Sequence, residues 1–589
     1  MPMIFSNLKL FANQLGWRLL VLFVLLLLAG LAEGFGVSMI LPLLQSDIGE
    51  SDNALSRIIS GMFELFGVPT HGTNILILLV VFFLIRAVLL IGQTWYQAIL
   101  LSNHLSYMRS SLIRSVLNAD YLHLTRYDAG YLTNAIVREV QTVNAGMRNL
   151  IDLMVTIVMA SIYITLPILL QPVLTLFLVA LAIPIAGLSA VMIRKTRRAS
   201  IQFTELHGRQ ESFLIEGIRN TKFVKATGRV PVISDRMTNE TDRVSMVFRK
   251  LFVLGGITRY APEPLVVFVM AGIIVIYTRG FDEPISEILF LMFLFFQSAK
   301  NMLRIQSTLR QFIESTGSLL LHNKLKADLD AVAVIDNPTA IAPDLDSDIK
   351  LSNVSVTYPD AASPALRGVN LLIQNRSTVA LVGASGSGKT TVANLVCGLI
   401  APSTGSISLG DNDYSTIRLS ALQKSVGYVT QESAVFNGTL MENITFWEDE
   451  PDRERVDNIL NQLELRGIAS GVAQDDIAGH VIGGDGAQLS GGERQRLSIA
   501  RELYRHSKLL ILDEATSALD SKLERKIDEL LEAQRGNRTF LIIAHRLSTV
   551  KNADIIYVLD DGVVVESGSF EELVEANGGF TKMVRLQSF

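Results

Sequence analysis

Cysteine is nearly absent: Cys397 stands alone among 589 residues. That excludes an internal disulfide and a cysteine-ligated metal cluster, and it gives no sign of an oxidising compartment. Charge is scarce too, at 19% of residues against 49% hydrophobic, with a mean hydropathy of +0.36. Such a balance excludes a disordered or fibrous chain and is too apolar for a soluble enzyme of this length. The charge is also unevenly shared, about +7 over residues 1–330 and about −12 over 331–589, which together make the −5 of the whole chain. The basic part is the expected membrane part.

What is present in that part is a set of long apolar runs. A bilayer core takes about 20 apolar residues of helix, and six stretches qualify: 17–45, 73–101, 146–170, 172–195, 250–279 and 284–312. The first continues too far to be a secretory signal and is read as a span. Several are longer than a bilayer requires, which predicts helices that project beyond it. The connections after spans one, three and five hold almost no Lys or Arg, whereas the other two are basic, from Arg109 to Arg138 and from Arg194 to Arg229. Both termini and these two long connections are therefore expected on the cytoplasmic side. Helical periodicity runs through both.

From Asp336 to Asp348 the chain is polar, acidic and carries two prolines, which marks a linker. Beyond it, short β-branched runs alternate with helical ones, as in an α/β domain with a mainly parallel sheet. The expected organisation is a six-helix membrane domain over 1–335, a linker over 336–348 and an α/β nucleotide-binding domain over 349–589.

The stretch Gly383-Ala-Ser385-Gly386-Ser-Gly388-Lys389-Thr390-Thr391 follows an apolar strand and opens a helix, the context of a P-loop. Its glycines let backbone N–H groups wrap phosphate oxygens, Lys389 offers a cation to the β/γ-phosphates, and the Thr390 hydroxyl suits Mg²⁺. Further on, Leu509-Leu-Ile-Leu-Asp513-Glu514 is an apolar strand ending in two carboxylates, one placed for Mg²⁺ and one for an attacking water.

With these motifs the chain resembles an ABC exporter half-transporter, a membrane domain fused to its own ATPase domain. Leu489-Ser490-Gly491-Gly492-Glu493-Arg494-Gln495 matches the signature that separates ABC ATPases from other P-loop proteins. Ser490 and two glycines at a helix start also make an anion site suited to a γ-phosphate. The resemblance implies Tyr358 as the aromatic stacked on adenine, Gln431 as the Q-loop glutamine in reach of the metal and water, Asp520 as the end of the D-loop Ser517-Ala-Leu-Asp520, and His545 as the switch histidine. ATP and Mg²⁺ are the implied cofactors. In the family one subunit's signature closes over the other's P-loop, so a chain with one cassette must dimerise. Glu514 and His545 are both intact, which makes a homodimer the simpler reading. Tyr121–Thr133 and Glu205–Val224 fall where exporters place their two coupling helices. One departure is visible: exporters usually carry a Gly-Glu-Arg-Gly-like stretch before the signature, and Gly483-Gly-Asp485-Gly486 lacks the arginine.

Charges inside spans are costly and mark functional candidates. Glu33 lies deep in span one, Arg86 roughly 18 Å into span two, Arg259 and Glu263 on one face of span five, and Lys300 and Arg304 on one face of span six. Such a basic cavity could hold an anionic group. In the loop after span one, Leu55, Ile58, Ile59, Met62, Phe63 and Phe66 recur at helical spacing, which describes an amphipathic helix lying on the outer leaflet. With the stretch Ala32–Pro42, these features are similar to those of bacterial lipid-linked oligosaccharide flippases, whose substrates carry a pyrophosphate. The implied function is ATP-driven flipping or export of an amphipathic, anionic lipid-linked substrate across a bacterial inner membrane, with the nucleotide-binding domain in the cytoplasm and membrane lipids as partners. A peptide or multidrug exporter is the alternative within transport, and an ATP-gated channel lies outside it. An intact Glu514 favours turnover over gating. Six spans exclude the soluble ABC proteins that act on nucleic acid.

Overall fold

The computed structural model describes residues 16–40, 72–170, 213–260, 285–334 and 340–589, excluding 360, 470–478, 483–488, 516–518, 545–549 and 588–589, together with isolated positions elsewhere. The predicted outer-leaflet helix over 55–66, Glu263, His545 and the Gly483–Gly486 stretch lie outside the described residues.

In the first part the helices are α1 (Arg18–Ser38), α2 (Gly72–Asn118), α3 (Tyr121–Leu124), α4 (Ala129–Asn134), α5 (Val140–Leu170), α6 (Thr221–Ala226), α7 (Val230–Tyr260) and α8 (Ile285–Asp330). Among the described residues three helical runs are long and apolar enough to cross a membrane: α1, α2, and the continuous run Ala129–Leu169 that carries α4 into α5 through a π-helical turn at Ala135–Glu139. They cover the first three predicted spans. The sixth coincides with the first part of α8, while most of the fourth and most of the fifth beyond Tyr260 fall outside the described residues. At 47 residues α2 is roughly 70 Å long, more than twice a bilayer core, which is the length the predicted projection requires.

The chain forms two compact units, Met1–Ser111 with Asn134–Lys324, and Leu112–Thr133 with Leu325–Phe589. The second therefore takes in the predicted first coupling segment, Tyr121–Thr133, as well as the part that carries the P-loop. The reason is local. Asp120 caps α3 by accepting from the His123 N–H, the backbone N–H groups of Asp120 and Val334 donate to the carbonyls of Val332 and Asn118 at 2.9 and 2.8 Å, and Leu122 packs on the core of the unit. The predicted second coupling segment, Glu205–Val224, ends within the short helix α6.

The second unit holds two main sheets. The strands β1 (Ile349–Val356), β2 (Leu366–Ile373), β4 (Thr404–Leu409) and β5 (Asn412–Asp413) form an antiparallel sheet of order β2-β1-β4-β5. The other joins β3 (Thr378–Gly383), β6 (Val426–Val429), β9 (Leu509–Asp513), β10 (Thr539–Ile543), β11 (Ile555–Asp560) and β12 (Val563–Gly568) in the order β12-β11-β3-β10-β9-β6, while the two-residue strands β7 (Gly438–Thr439) and β8 (Val481–Ile482) pair with each other. This larger sheet is parallel except for β12. β9 is buried at all five positions and β3 at its first five, the near-continuous apolar pattern of a parallel sheet covered on both faces. Helix α9 (Lys389–Val396) follows β3, and α13 (Gly491–Arg505) precedes β9, with α10 (Leu419–Ser425), α11 (Leu440–Thr445) and α12 (Arg453–Gln462) between them. α14 (Ser521–Glu532) lies between β9 and β10.

Candidate functional site

In an open parallel sheet, ligands sit at the carboxyl ends of the strands. Here the four adjacent strands β3, β10, β9 and β6 end at Gly383, Ile543, Asp513 and Val429. The P-loop, Glu514 and Gln431 thus leave one edge of one sheet, although they are far apart in sequence.

The P-loop is a turn only glycine can make. Gly383, Gly386 and Gly388 have φ of +152°, +81° and +101°, and a Cβ on Gly383 would lie 2.2 Å from the Leu559 carbonyl oxygen. Gly388 caps α9 in the left-handed conformation. Lys389 folds back over the loop, its Nζ donating to the carbonyls of Gly383 and Ala384 at 2.9 and 2.8 Å. Burial pushes its ammonium below the usual lysine value, against the raising influence of Glu514 and Asp513. Ser385 and Thr390 are exposed, whereas Thr391 is buried and its hydroxyl lies 3.3 Å from the hydroxyl of Tyr358.

Thr390 Oγ1 donates to Asp513 Oδ2 at 3.0 Å, which sets a hydroxyl beside a carboxylate at the strand edge. Burial raises the Asp513 carboxyl above the ordinary range against the opposing bond from Thr390, and neighbouring Glu514 adds to the rise; the hydroxyl and carboxylate together are hard oxygen donors. Next to it, Glu514 adopts φ +51°, a left-handed conformation for a non-glycine residue. Its carboxylate accepts from Gln431 Nε2 at 3.0 Å. Its own N–H donates to the Ile543 carbonyl at 3.1 Å, and its carbonyl accepts from Gln495 Nε2 at 2.8 Å. Gln495 was missed by sequence reasoning, because nothing in the order of the signature shows that its fifth helical residue turns back to the strand end.

The signature forms as expected at a helix start. Ser490 caps α13 in a reciprocal box with Glu493, and Gly491 and Gly492 open the first turn. Asp520 caps α14, its side chain accepting from the N–H groups of Lys522 and Leu523. Within the signature and D-loop the structure thus gives Ser490 and Asp520 capping bonds.

Among the cavity candidates, the structure brings two together. Gly30 and Gly34, four residues apart on α1, let that helix approach α5: a Cβ on either would meet Ile162 at 2.5 and 3.0 Å. This packing sets Glu33 against Tyr163, whose hydroxyl donates to Glu33 Oε1 at 2.5 Å, while Arg86 Nη2 from α2 reaches the same oxygen at 3.0 Å. Glu33 is only 6% exposed. Ser298 of α8 donates to the Tyr163 carbonyl, which adds a fourth helix. Tyr163 could have been noticed as a hydroxyl inside an apolar run, but its partner could not. Lys300 and Arg304 are exposed on α8 and make no side-chain ion pair or hydrogen bond among the described residues. Arg259 belongs to α7, but its side chain lies outside the described residues.

Comparison with known proteins agrees with this geometry. Residues 16–299 match the ABC transporter transmembrane region and residues 366–517 the ABC transporter family. The chain is 32% identical over 518 residues, 86% of each chain, to the ATP-dependent lipid A-core flippase of Cupriavidus pinatubonensis. It is 42% identical to the ATP-dependent lipid A-core flippase of Escherichia coli K12 over 241 residues, 41% of each. Among solved structures, a bacterial Atm1-family ABC exporter with ATP bound superposes with a TM-score of 0.76 at 21% identity, covering 98% of this chain and 99% of that one.

Proposed function

The chain belongs to the ABC transporters, membrane proteins that couple ATP hydrolysis to transport, and we propose that it works as a homodimer that flips an amphipathic, anionic lipid-linked substrate across a bacterial inner membrane. Its nucleotide-binding domain then lies in the cytoplasm. The observation that carries the ATPase half is the convergence of Lys389, Thr390, Asp513, Glu514 and Gln431 at one sheet edge. The names of the relatives support a lipid substrate over the peptide or multidrug alternative.

The roles follow from the chemistry. Backbone N–H groups of Ser385 to Thr391 cradle the phosphates, Lys389 leaves its resting carbonyls for the β/γ-oxygens, and Tyr358 stacks on adenine. Thr390 and Asp513, with Gln431, fit a Mg²⁺ ion, which would neutralise charge on the phosphates when bound. Glu514 orients the attacking water as general base, Gln431 holds its carboxylate meanwhile, and His545 steadies the γ-phosphate. Across the dimer, Ser490, Gly491 and Gly492 of the second copy close the site from the other side, with Asp520 bracing the junction. Closing the two cassettes moves the coupling segments, and the membrane halves exchange inward-open and outward-open arrangements.

For the substrate, Arg86, Arg259, Lys300 and Arg304 supply positive charge for an anionic head group, of which lipid A-core and a lipid-linked oligosaccharide are two forms. Glu33 pairs with Arg86 at 3.0 Å. The test is ATP-dependent movement of fluorescent lipid A-core, and separately of a lipid-linked oligosaccharide, across proteoliposomes of the full chain with Glu514→Gln as the blank. Movement of one or both by the wild type alone supports the reading. Movement of neither, with ATP still hydrolysed, refutes a lipid-linked substrate.

A further inference from the structure

We propose that Gln495 is a positioning residue for the hydrolytic carboxylate, tying the signature helix to Glu514 of the same chain. The backbone of Glu514 is held at φ +51°, which a glutamate keeps only where its surroundings over-determine it. Two bonds do so. The Glu514 N–H is anchored to the Ile543 carbonyl on β10, and the Glu514 carbonyl is anchored to Gln495 Nε2 on α13, at 3.1 and 2.8 Å. The first belongs to the sheet, whereas the second comes from α13, a different element packed against β9.

Gln495 is 3% exposed, so its side chain is confined to one direction and does not serve solvent. Without that donor, the peptide after Glu514 loses its fixed orientation. The carboxylate then no longer stays in line with Gln431, which now meets it at 3.0 Å. A position error of this kind acts on the rate, because the water must be held in line when it attacks. It need not act on ATP affinity, which Lys389 and the P-loop backbone provide.

The placement of Gln495 adds a consequence that rests on the homodimer reading. Ser490 starts the same helix, five residues away or roughly 7.5 Å along its axis, and in that reading it meets the γ-phosphate bound by the second copy. Engagement of the partner's ATP would shift α13 and, through Gln495, the carboxylate of this chain's own site. One side chain would thereby make each site sense the other.

The test uses the full-length protein in proteoliposomes. Gln495→Met keeps the length and removes the donor, and Gln495→Asn keeps the amide but withdraws it by one methylene. Each is measured for ATP affinity by equilibrium binding, for kcat at saturating ATP and for thermal unfolding, alone and combined with Glu514→Gln. The expected result is a fall in kcat of tenfold or more with ATP affinity and unfolding temperature nearly unchanged, and no further fall in the Glu514→Gln background. An unchanged kcat overturns the proposal. So does an equal loss with and without Glu514, which would mean that Gln495 acts elsewhere, or failure of both variants to fold, which would make it a packing residue. The Hill coefficient for ATP separates the added consequence: a fall toward 1 alongside kcat supports sensing between sites, and an unchanged coefficient with reduced kcat leaves positioning within one chain only.

Discussion

Arg86 meets Glu33 at 3.0 Å between two apolar helices, and among the described residues each keeps one buried polar atom without a hydrogen-bond partner, Nε of Arg86 and Oε2 of Glu33. The pair is held in place by Tyr163 but is not saturated. A buried ion pair is weak evidence of stability in itself, since desolvation offsets most of its attraction, but breaking it from one side leaves a bare charge.

Arg86→Ala should therefore destabilise the protein by up to about 3–5 kcal/mol, the cost of stranding a buried carboxylate, reduced because Arg86 is only half-buried and Tyr163 still donates to Glu33. The double variant with Glu33→Gln should recover much of that loss. Thermal unfolding of the two variants in the same detergent checks the order. A double variant as unstable as the single one would show that the arginine stem, not its charge, supports the helices.

Glu514→Gln should leave ATP binding intact and slow hydrolysis by about 10²–10⁴-fold, the usual value of a positioned general base. Single-turnover hydrolysis and equilibrium binding measured side by side read the two effects. Unchanged turnover would remove Glu514 from the mechanism.

Asp513→Asn should separate stability from function. The Asp513 carboxyl is raised in the folded protein by burial and then by Glu514, so its ionised form costs stability at neutral pH in the absence of nucleotide. The asparagine should unfold at a higher temperature than wild type at pH 7. That advantage should shrink as the pH falls through the raised value toward the ordinary carboxyl range, where the wild-type group becomes neutral. ATPase activity should be lost throughout. A variant less stable than wild type at pH 7 would mean that the bond from Thr390 outweighs the burial cost.

Gly383→Ala should damage the nucleotide site more than a surface glycine would. The added methyl meets the Leu559 carbonyl at 2.2 Å, and that backbone, paired with β3 on one side and β12 on the other, cannot step aside. The expected outcome is loss of ATP binding, with a lower unfolding temperature for the second unit. Normal ATP affinity would show that the sheet can open locally at β11.

The P-loop was legible because its chemistry is contiguous: nine residues from Gly383 to Thr391 hold the turn, the cation and the hydroxyl together. The spans were legible because a bilayer demands a length of apolar helix, which α1, α2 and the α4–α5 run supply. Order along the chain, read through family resemblance, placed Glu514 and Gln431. Their contact depended on the sheet order β3-β10-β9-β6. What the sequence alone could not decide was partner choice. Glu33 had several arginines to choose from, and the choice fell to Arg86 and Tyr163 because the small face of α1 at Gly30 and Gly34 lets α5 come close. Likewise Gln495 looked like one more polar residue of a motif, and only the packing of α13 behind β9 turned its amide onto the Glu514 carbonyl. Periodicity and local motifs are properties of neighbours in the chain, so sequence carries them. Pairings across 130 residues are set by how the helices and sheet pack, so only the tertiary structure does.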